Sequence, residues 1–327
     1  MNAPPVAPPM RFNVEGWEIG YGSSLDVDEE LSQSKAELDL GVEVPEASWR
    51  PVGPTTGITE PDAVLFVDGV RRIDAQVWID EGDDTAALGI CASYAAGVVV
   101  CQDSRAEVVH PKHARGVFST SVHVQNIETP FDAYEAVVVR EKPQLSLQVV
   151  LSSALQEKLT LLEIETAARA RETLNAANDL LVVDGQLRGR EHLERAVGYI
   201  KSHNKFYLPD RLNAMVPAMA AGHRTPVFRM GTTWERYSWY LRLPHGSGSP
   251  WAGVVRVEAN EGLSPADVVA LANLTQSVLG RYASAEYKDA RAPQNLYPIA
   301  GLEKNLRHRL GDQQLLYRGL RAAAHFT

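Results

Sequence analysis

Cysteine is nearly absent: the 327-residue chain has two, Cys91 and Cys101, both in one apolar stretch. Their spacing fits neither a zinc site nor a redox pair, which excludes a disulfide-stapled scaffold and a thiolate metal centre. Both read as reduced core residues. Long hydrophobic runs are missing too. The longest, Ala86 to Cys101, is rich in Ala and Gly and falls short of the ~18 residues a membrane span needs. The N-terminal run Met1-Asn2-Ala3-Pro4-Pro5-Val6-Ala7-Pro8-Pro9 has no basic region followed by an apolar segment. It reads as a Pro-rich disordered start rather than a signal peptide, and a cytoplasmic protein with no membrane role is expected. Positive charge is also short: Lys and Arg number 32 against 41 Asp and Glu, a net charge of -9. Proteins that hold nucleic acid on their own surface are usually basic. Any nucleic-acid contact here must use a local basic groove, a bound cation or a partner that delivers the strand. A G-x-x-x-x-G-K-[ST] loop is absent, as is the second Gly-rich phosphate loop of sugar-kinase or actin-like ATPases.

What is present is an ordinary globular composition, 45% hydrophobic and 22% charged, with length for one large domain or two modest ones. Two stretches stand out, Phe66-Val67-Asp68-Gly69-Val70-Arg71-Arg72 and Leu181-Val182-Val183-Asp184-Gly185-Gln186-Leu187. In each, a short apolar run that reads as a buried strand ends on Asp-Gly. A carboxylate at a strand end is costly to bury unless it is paired or binds a cation. A lone Asp-Gly is ordinarily a turn; its occurrence twice points to two carboxylates converging on one metal site.

The remaining segments supply a frame. Residues 10 to 60 are Pro-interrupted, with a helix expected around Asp28 to Leu38 and with Trp17 and Trp49 pinning this arm to the body. Residues 63 to 139 are β-like: Ile73, Ala75, Val77 and Ile79 alternate with Arg72, Asp74, Gln76 and Trp78. His110, His113 and His123 fall in this region at no standard metal-ligand spacing and read as a polar loop or DNA-facing edge. From 145 to 179 a helix is expected, because Leu147, Leu151, Leu155, Leu159 and Leu162 recur at steps of four and three. It carries Glu163 and Glu165. A second helix is expected from Arg190 to His203. Lys201, His203, Lys205, Phe206 and Tyr207 then interleave basic and aromatic side chains, which suits phosphate contact with base stacking or a solvated helix end equally well. Strands are expected again over 225 to 259, and a helix from Ser264-Pro265 to about Arg281. After Tyr297-Pro298 comes a basic amphipathic helix with Glu303, Lys304, Arg307, His308 and Arg309.

This order predicts an α/β fold with a ribonuclease-H-like mixed sheet flanked by helices, antiparallel at first and parallel later. Three regions follow: a partly disordered arm at 1–60, a central domain at 61–312, and a tail at 313–327 poised for a partner or dimer contact.

Taken together, Val67-Asp68-Gly69, Val183-Asp184-Gly185-Gln186-Leu187 with a helical Glu 19 residues upstream, Gly198-Tyr199-Ile200-Lys201, and Tyr297-Pro298 before a polar helix resemble the NurA nuclease family. That family partners HerA-type hexameric DNA translocases. The resemblance implies a Mn²⁺- or Mg²⁺-dependent deoxyribonuclease using a two-metal mechanism at DNA ends. It implies a homodimer docked on a HerA-like ATPase in end resection, repair or antiviral defence. It places metal ligands at Asp68, Glu165 and Asp184, with Glu163 the alternative on the helix, and a further ligand at His308 or Glu303. Lys201 would neutralise phosphate or orient water, Tyr297 would position the strand, and Arg71, Arg72, Lys201, His203 and Lys205 would contact DNA. The competing reading is a catalytically inactive adaptor of the same fold that docks a translocase.

Overall fold

The computed structural model describes residues 37–82, 85–174, 176–203, 205–232, 234–244 and 248–324. Trp17 and most of the helix expected around Asp28 to Leu38 lie outside them. The described end of that segment, Glu37–Asp39, is a strand, β1. The other strands are β2 (Ala63–Gly82), β3 (Thr85–Gln102), β4 (Arg105–Ser119), β5 (Ile127–Glu128) and β6 (Ala133–Val138), then β7 (Asp179–Asp184), β8 (Ala196–Ile200), β9 (Phe228–Gly231), β10 (Glu235–Arg242) and β11 (Val254–Asn260). The helices are α1 (Leu147–Thr173), the single turn α2 (Asp210–Asn213), α3 (Pro265–Val278), α4 (Tyr297–Arg309) and α5 (Gln313–Ala323).

Among the described residues, eleven strands join one sheet in the order β1-β9-β10-β11-β8-β7-β2-β3-β4-β6-β5. Its middle is an antiparallel meander, β2-β3-β4. It is followed through α1 by β7, parallel to β2, and by β8, parallel to β7. The order β4-β3-β2-β7-β8, with β2, the first strand of the meander, central, is the ribonuclease-H-like arrangement. The sheet turns antiparallel once more where β11 joins β8. The helix expected over Arg190 to His203 is therefore a turn followed by a strand. Ala196-Val197-Gly198-Tyr199-Ile200 is buried throughout, and a run that is apolar on both faces is what a central parallel strand requires.

Alternation along β2 divides the core. Val64, Phe66 and Val70 face α3 and α4, with Val182, Val268, Leu302 and Leu306. Leu65 and Val67 face the other way, with Ala167 and Ala170 of α1. Leu151, Leu155 and Leu159 of α1 cover β3 and β4 at Ala92, Tyr94 and Phe118. Trp49 is buried in a separate cluster with Phe228 and Tyr240, and its indole nitrogen donates to Leu40 O at 2.8 Å.

The far end of α4 is tied to the meander. Leu310 O accepts from Arg72 Nη2 of β2 at 3.2 Å and from Arg115 Nη2 of β4 at 3.0 Å, and Gly311 O accepts from Arg72 Nη1 at 2.9 Å. These guanidinium groups satisfy carbonyls that a helix end leaves without partners and complement its negative pole.

Candidate metal centre

The parallel register of β2 and β7 builds the site. Val67 pairs with Val183, so Asp68 and Asp184 leave adjacent strands at the same level and on the α4 face. Each Asp-Gly does something further. Gly69 faces α1, where a Cβ would lie 2.5 Å from Glu163 Oε1 and 2.6 Å from Leu159 Cδ1, so only glycine lets α1 come this close. Gly185 has φ +103°, a conformation side chains resist, and it turns the chain back across β8.

The third carboxylate comes from α4. One oxygen each of Asp68, Asp184 and Glu303 lies within 4.8 Å of the others. Asp68 and Glu303 are buried. Asp68 Oδ1 accepts from Gly69 N at 2.7 Å, whereas Asp68 Oδ2 and Asp184 Oδ1 are buried without a hydrogen-bond partner. Buried polar atoms are ordinarily satisfied, and two orphaned carboxylate oxygens aimed into one acidic cluster are the donor set a hard divalent cation takes.

A shell of hydrogen bonds fixes these acids. Lys201, just past β8, donates to Asp184 Oδ2 at 2.6 Å and to Asn295 Oδ1 at 3.1 Å, and lies 3.9 Å from Glu303 Oε1. Arg291 grips Glu303 through both oxygens, at 3.2 and 2.9 Å, a bidentate geometry that sets orientation as well as charge. Asn295 Nδ2 donates to Asp289 Oδ2 at 2.7 Å, and Asp289 Oδ1 accepts from Arg291 N at 2.8 Å. Glu163 pairs with Arg190, whose Nη1 donates to Gln186 O at 3.0 Å. With all groups ionised, Asp68, Asp184, Glu163, Asp289 and Glu303 outnumber Lys201, Arg190 and Arg291 by two charges, which one divalent ion would balance. Burial, and then the neighbouring Asp184, push the Asp68 carboxyl well above the usual carboxylate range against the pull of Lys201. Burial raises Asp184 as well, again opposed by Lys201. Burial likewise raises Glu163, with Arg190 opposing.

The structure brings Asp68, Asp184, Lys201 and the alternative ligand Glu303 together, with Glu163 one layer away. It does not bring Glu165 there. Glu165 is exposed, pairs with Lys112, and is held below the usual range mainly by that hydrogen bond. Two residues along a helix is about 200° of rotation, so Glu163 and Glu165 point apart. Glu163 continues the Leu151-Leu155-Leu159 stripe at a step of four, a signal present in the sequence. His308 is exposed in the last turn of α4, five positions and so about 140° round the helix from Glu303. Tyr297 is 38% exposed, accepts from Ala285 N at 3.2 Å, and has Lys288 Nζ 5.3 Å from its ring centre.

Among the expected DNA contacts, Arg71 donates to Ser152 O and Oγ at 3.1 and 3.3 Å. Arg72 holds Asp74 at 2.7 Å as well as the end of α4, so both arginines have structural partners. Lys205 is exposed. His203 lies between Trp251 and Tyr240, with ring centres 5.0 and 5.9 Å away. Its Nε2 is 2.9 Å from Val254 O; a carbonyl only accepts, so that nitrogen carries the proton. Burial lowers its pKa to about 4, and at neutral pH it is an uncharged aromatic rather than a phosphate-binding cation. A depressed folded-state value means that stability is full above the unfolded value of ~6.5 and is lost as pH falls toward 4. Ring resonances of His203 followed by NMR should titrate with a midpoint near 4; a midpoint near 6.5 would place the ring in solvent.

No described protein family and no curated protein matches the sequence. Solved structures give distant likenesses. The chain is similar to the NurA nuclease from Sulfolobus solfataricus, with 10% identity over 80% of this chain and 84% of that one and a TM-score of 0.46. It is similar to human endonuclease V, with 17% identity over 76% and 84% and a TM-score of 0.37. It is also similar to Ciona intestinalis endonuclease V solved with a 24mer DNA containing an inosine, with 12% identity over 79% and 91% and a TM-score of 0.34. These neighbours are nucleases. Among the described residues, no helix is long and apolar enough to cross a membrane.

Proposed function

We propose that this protein is a cytoplasmic, divalent-metal-dependent deoxyribonuclease that hydrolyses phosphodiester bonds at DNA ends. The observation that carries the reading is the convergence of Asp68, Asp184 and Glu303 from two strands and a helix, with two buried carboxylate oxygens unpartnered. Asp68, Asp184 and Glu303 would hold one or two Mn²⁺ or Mg²⁺ ions. Bound there, the metal supplies Lewis-acid stabilisation of the phosphoryl charge and a water nucleophile at neutral pH.

The chain's own groups do the rest. Arg291 and Lys201 fix Glu303 and Asp184 before any ligand arrives, so little reorganisation is left for the binding step. Lys201 also places an ammonium beside the acids, where a substrate phosphate would otherwise be repelled. The net charge of -9 disfavours unaided capture of DNA. It fits a nuclease, acting as a homodimer, that receives its strand from a HerA-like hexameric ATPase in resection, repair or antiviral defence.

The test is end-labelled linear DNA with Mn²⁺, with and without a HerA-like ATPase. Metal-dependent release of label by the protein, or by the mixture, supports the reading. DNA left intact under both conditions returns the chain to the adaptor reading. Within the site, Glu303→Gln is expected to remove the Mn²⁺-induced rise in Tm, whereas Glu165→Ala keeps it within about 1 °C. Differential scanning calorimetry with and without Mn²⁺ checks both, and loss in Glu165→Ala alone would move the third ligand to α1.

A further inference from the structure

Beyond Lys201 the chain leads to an aromatic pair that the hydrolytic reading does not use. The Phe206 ring packs on Trp251 with centres 4.9 Å apart and planes 32° from parallel, and Phe206 is 57% exposed. Trp251 also packs against the neutral His203 and, edge-on, against Tyr240, which hold the indole in place, whereas Phe206 is the exposed member of the group. One chain path and one hydrogen-bonded path link this shelf to the centre. Lys201, on Asp184, is two residues from His203. Gln294 Nε2 lies 3.5 Å from Trp251 O, and the next residue, Asn295, holds Lys201. An exposed phenylalanine gains nothing from water, and a partly solvent-open aromatic pair on the segment that follows Lys201, with Phe206 five residues beyond it, matches what unpaired nucleic acid takes: π-faces for bases beside charge for phosphates.

We infer that Phe206 and Trp251 form a base-stacking shelf for an unpaired nucleobase of the strand whose phosphate lies at Asp68, Asp184 and Glu303. This rests on the nuclease reading and adds a substrate requirement to it: the strand must expose a base, as a single strand or a frayed end does. Phe206 and Trp251 are positioning residues and touch no reacting atom.

The experiment uses the full chain carrying Asp68→Asn, so that bound strand survives, with Mg²⁺ present. Fluorescence polarisation compares a labelled 12-residue oligothymidylate with an abasic oligomer of the same phosphate count. The oligothymidylate is expected to bind about 5- to 100-fold more tightly and to quench tryptophan emission, with the quench lost in Trp251→Phe. Phe206→Ala should bring the base-to-abasic ratio close to one, a base-selective loss that a merely structural role for the ring would not produce, and Phe206→Tyr should restore it. An unchanged ratio in Phe206→Ala with unchanged Tm overturns the shelf. So does equal binding of the two oligomers by the Asp68→Asn protein, or a quench that survives in Trp251→Phe, which would seat the strand or another occupant elsewhere. Wild-type cleavage of the oligothymidylate with Mn²⁺ is scored separately: a base-dependent ratio without cleavage keeps the shelf and removes the nuclease reading.

Discussion

Asp68→Asn is expected to have opposite effects on activity and on stability. On the proposed reading, metal-dependent DNA hydrolysis should fall by at least about 10³-fold, since the substitution would remove a charged ligand from a centre whose ions would supply several kcal/mol of transition-state stabilisation. The metal-free protein, however, should gain about 1–3 °C in Tm. The reason is electrostatic: the Asp68 carboxylate is buried against Asp184, Glu303 and Glu163, and an amide of the same shape removes that repulsion. Because its folded-state pKa is raised above the unfolded one, Asp68 contributes stability at low pH, where it is protonated, and loses it as pH rises through the folded value. In chelator, wild-type Tm should therefore decline with rising pH more steeply than that of Asp68→Asn. Added Mn²⁺ should close the gap most at high pH, where the acids are ionised. Calorimetry across pH 5 to 8, with chelator and with Mn²⁺, reads all of this. An Asp68→Asn protein less stable than wild type in chelator would mean that the carboxylate has a structural partner.

The second large effect lies away from the centre. Glu258 of β11 is fully buried and accepts from Arg236 Nε and Arg256 Nη1, both at 2.6 Å, while its other oxygen accepts from Leu187 N at 3.3 Å. Arg236 stacks on Trp234, and Arg256 on Tyr207. Glu258→Gln leaves two guanidinium groups, one with a buried Nη2 that already lacks a partner, without a counter-charge. Breaking a buried pair from one side costs about 3–5 kcal/mol, which in a chain of this size lowers Tm by roughly 4–7 °C. Denaturant unfolding monitored by circular dichroism measures it, and a change below 1 kcal/mol would mean that water reaches the triad. Since Leu187 follows directly on the turn after Asp184, the same substitution should weaken Mn²⁺ binding without touching a ligand.

Much of this was legible in the sequence where local pattern and tertiary role coincide. Asp68 and Asp184 stand out because an acid on a buried apolar strand is costly unless it has a partner; β7 does end on Asp184, but β2 runs on to Gly82, so Asp68-Gly69 lies inside a strand and not at its end as the pattern suggests. The leucine stripe marked α1, and Ser264 at the N-cap marked α3, where its hydroxyl accepts from Asp267 N. The pattern was silent where burial is two-sided. Residues 196–200, apolar on every face, carry no period with which to tell strand from helix, so β8 was read as part of a helix. The third carboxylate was ambiguous for a different reason. The family resemblance implies Glu165, whereas the buried stripe picks Glu163, and only the packing of α4 against β2 and β3 brings Glu303 to the same point. His203 read as a cation because one sequence cannot show the Tyr240 and Trp251 rings that desolvate it.

The pinning of α4 by Arg72 and Arg115 also sets when the centre comes into being. Two of its acids are made early, on strands that pair as soon as α1 has crossed the sheet. The third rides on a helix that must dock against β2 and be clamped there by its last carbonyls. At about 5–20 residues per second, a nascent chain holds Asp68 and Asp184 for several seconds before α4 leaves the ribosome. Throughout that interval it lacks Glu303 and Arg291, and the half-built chain carries only two of the three clustered acids.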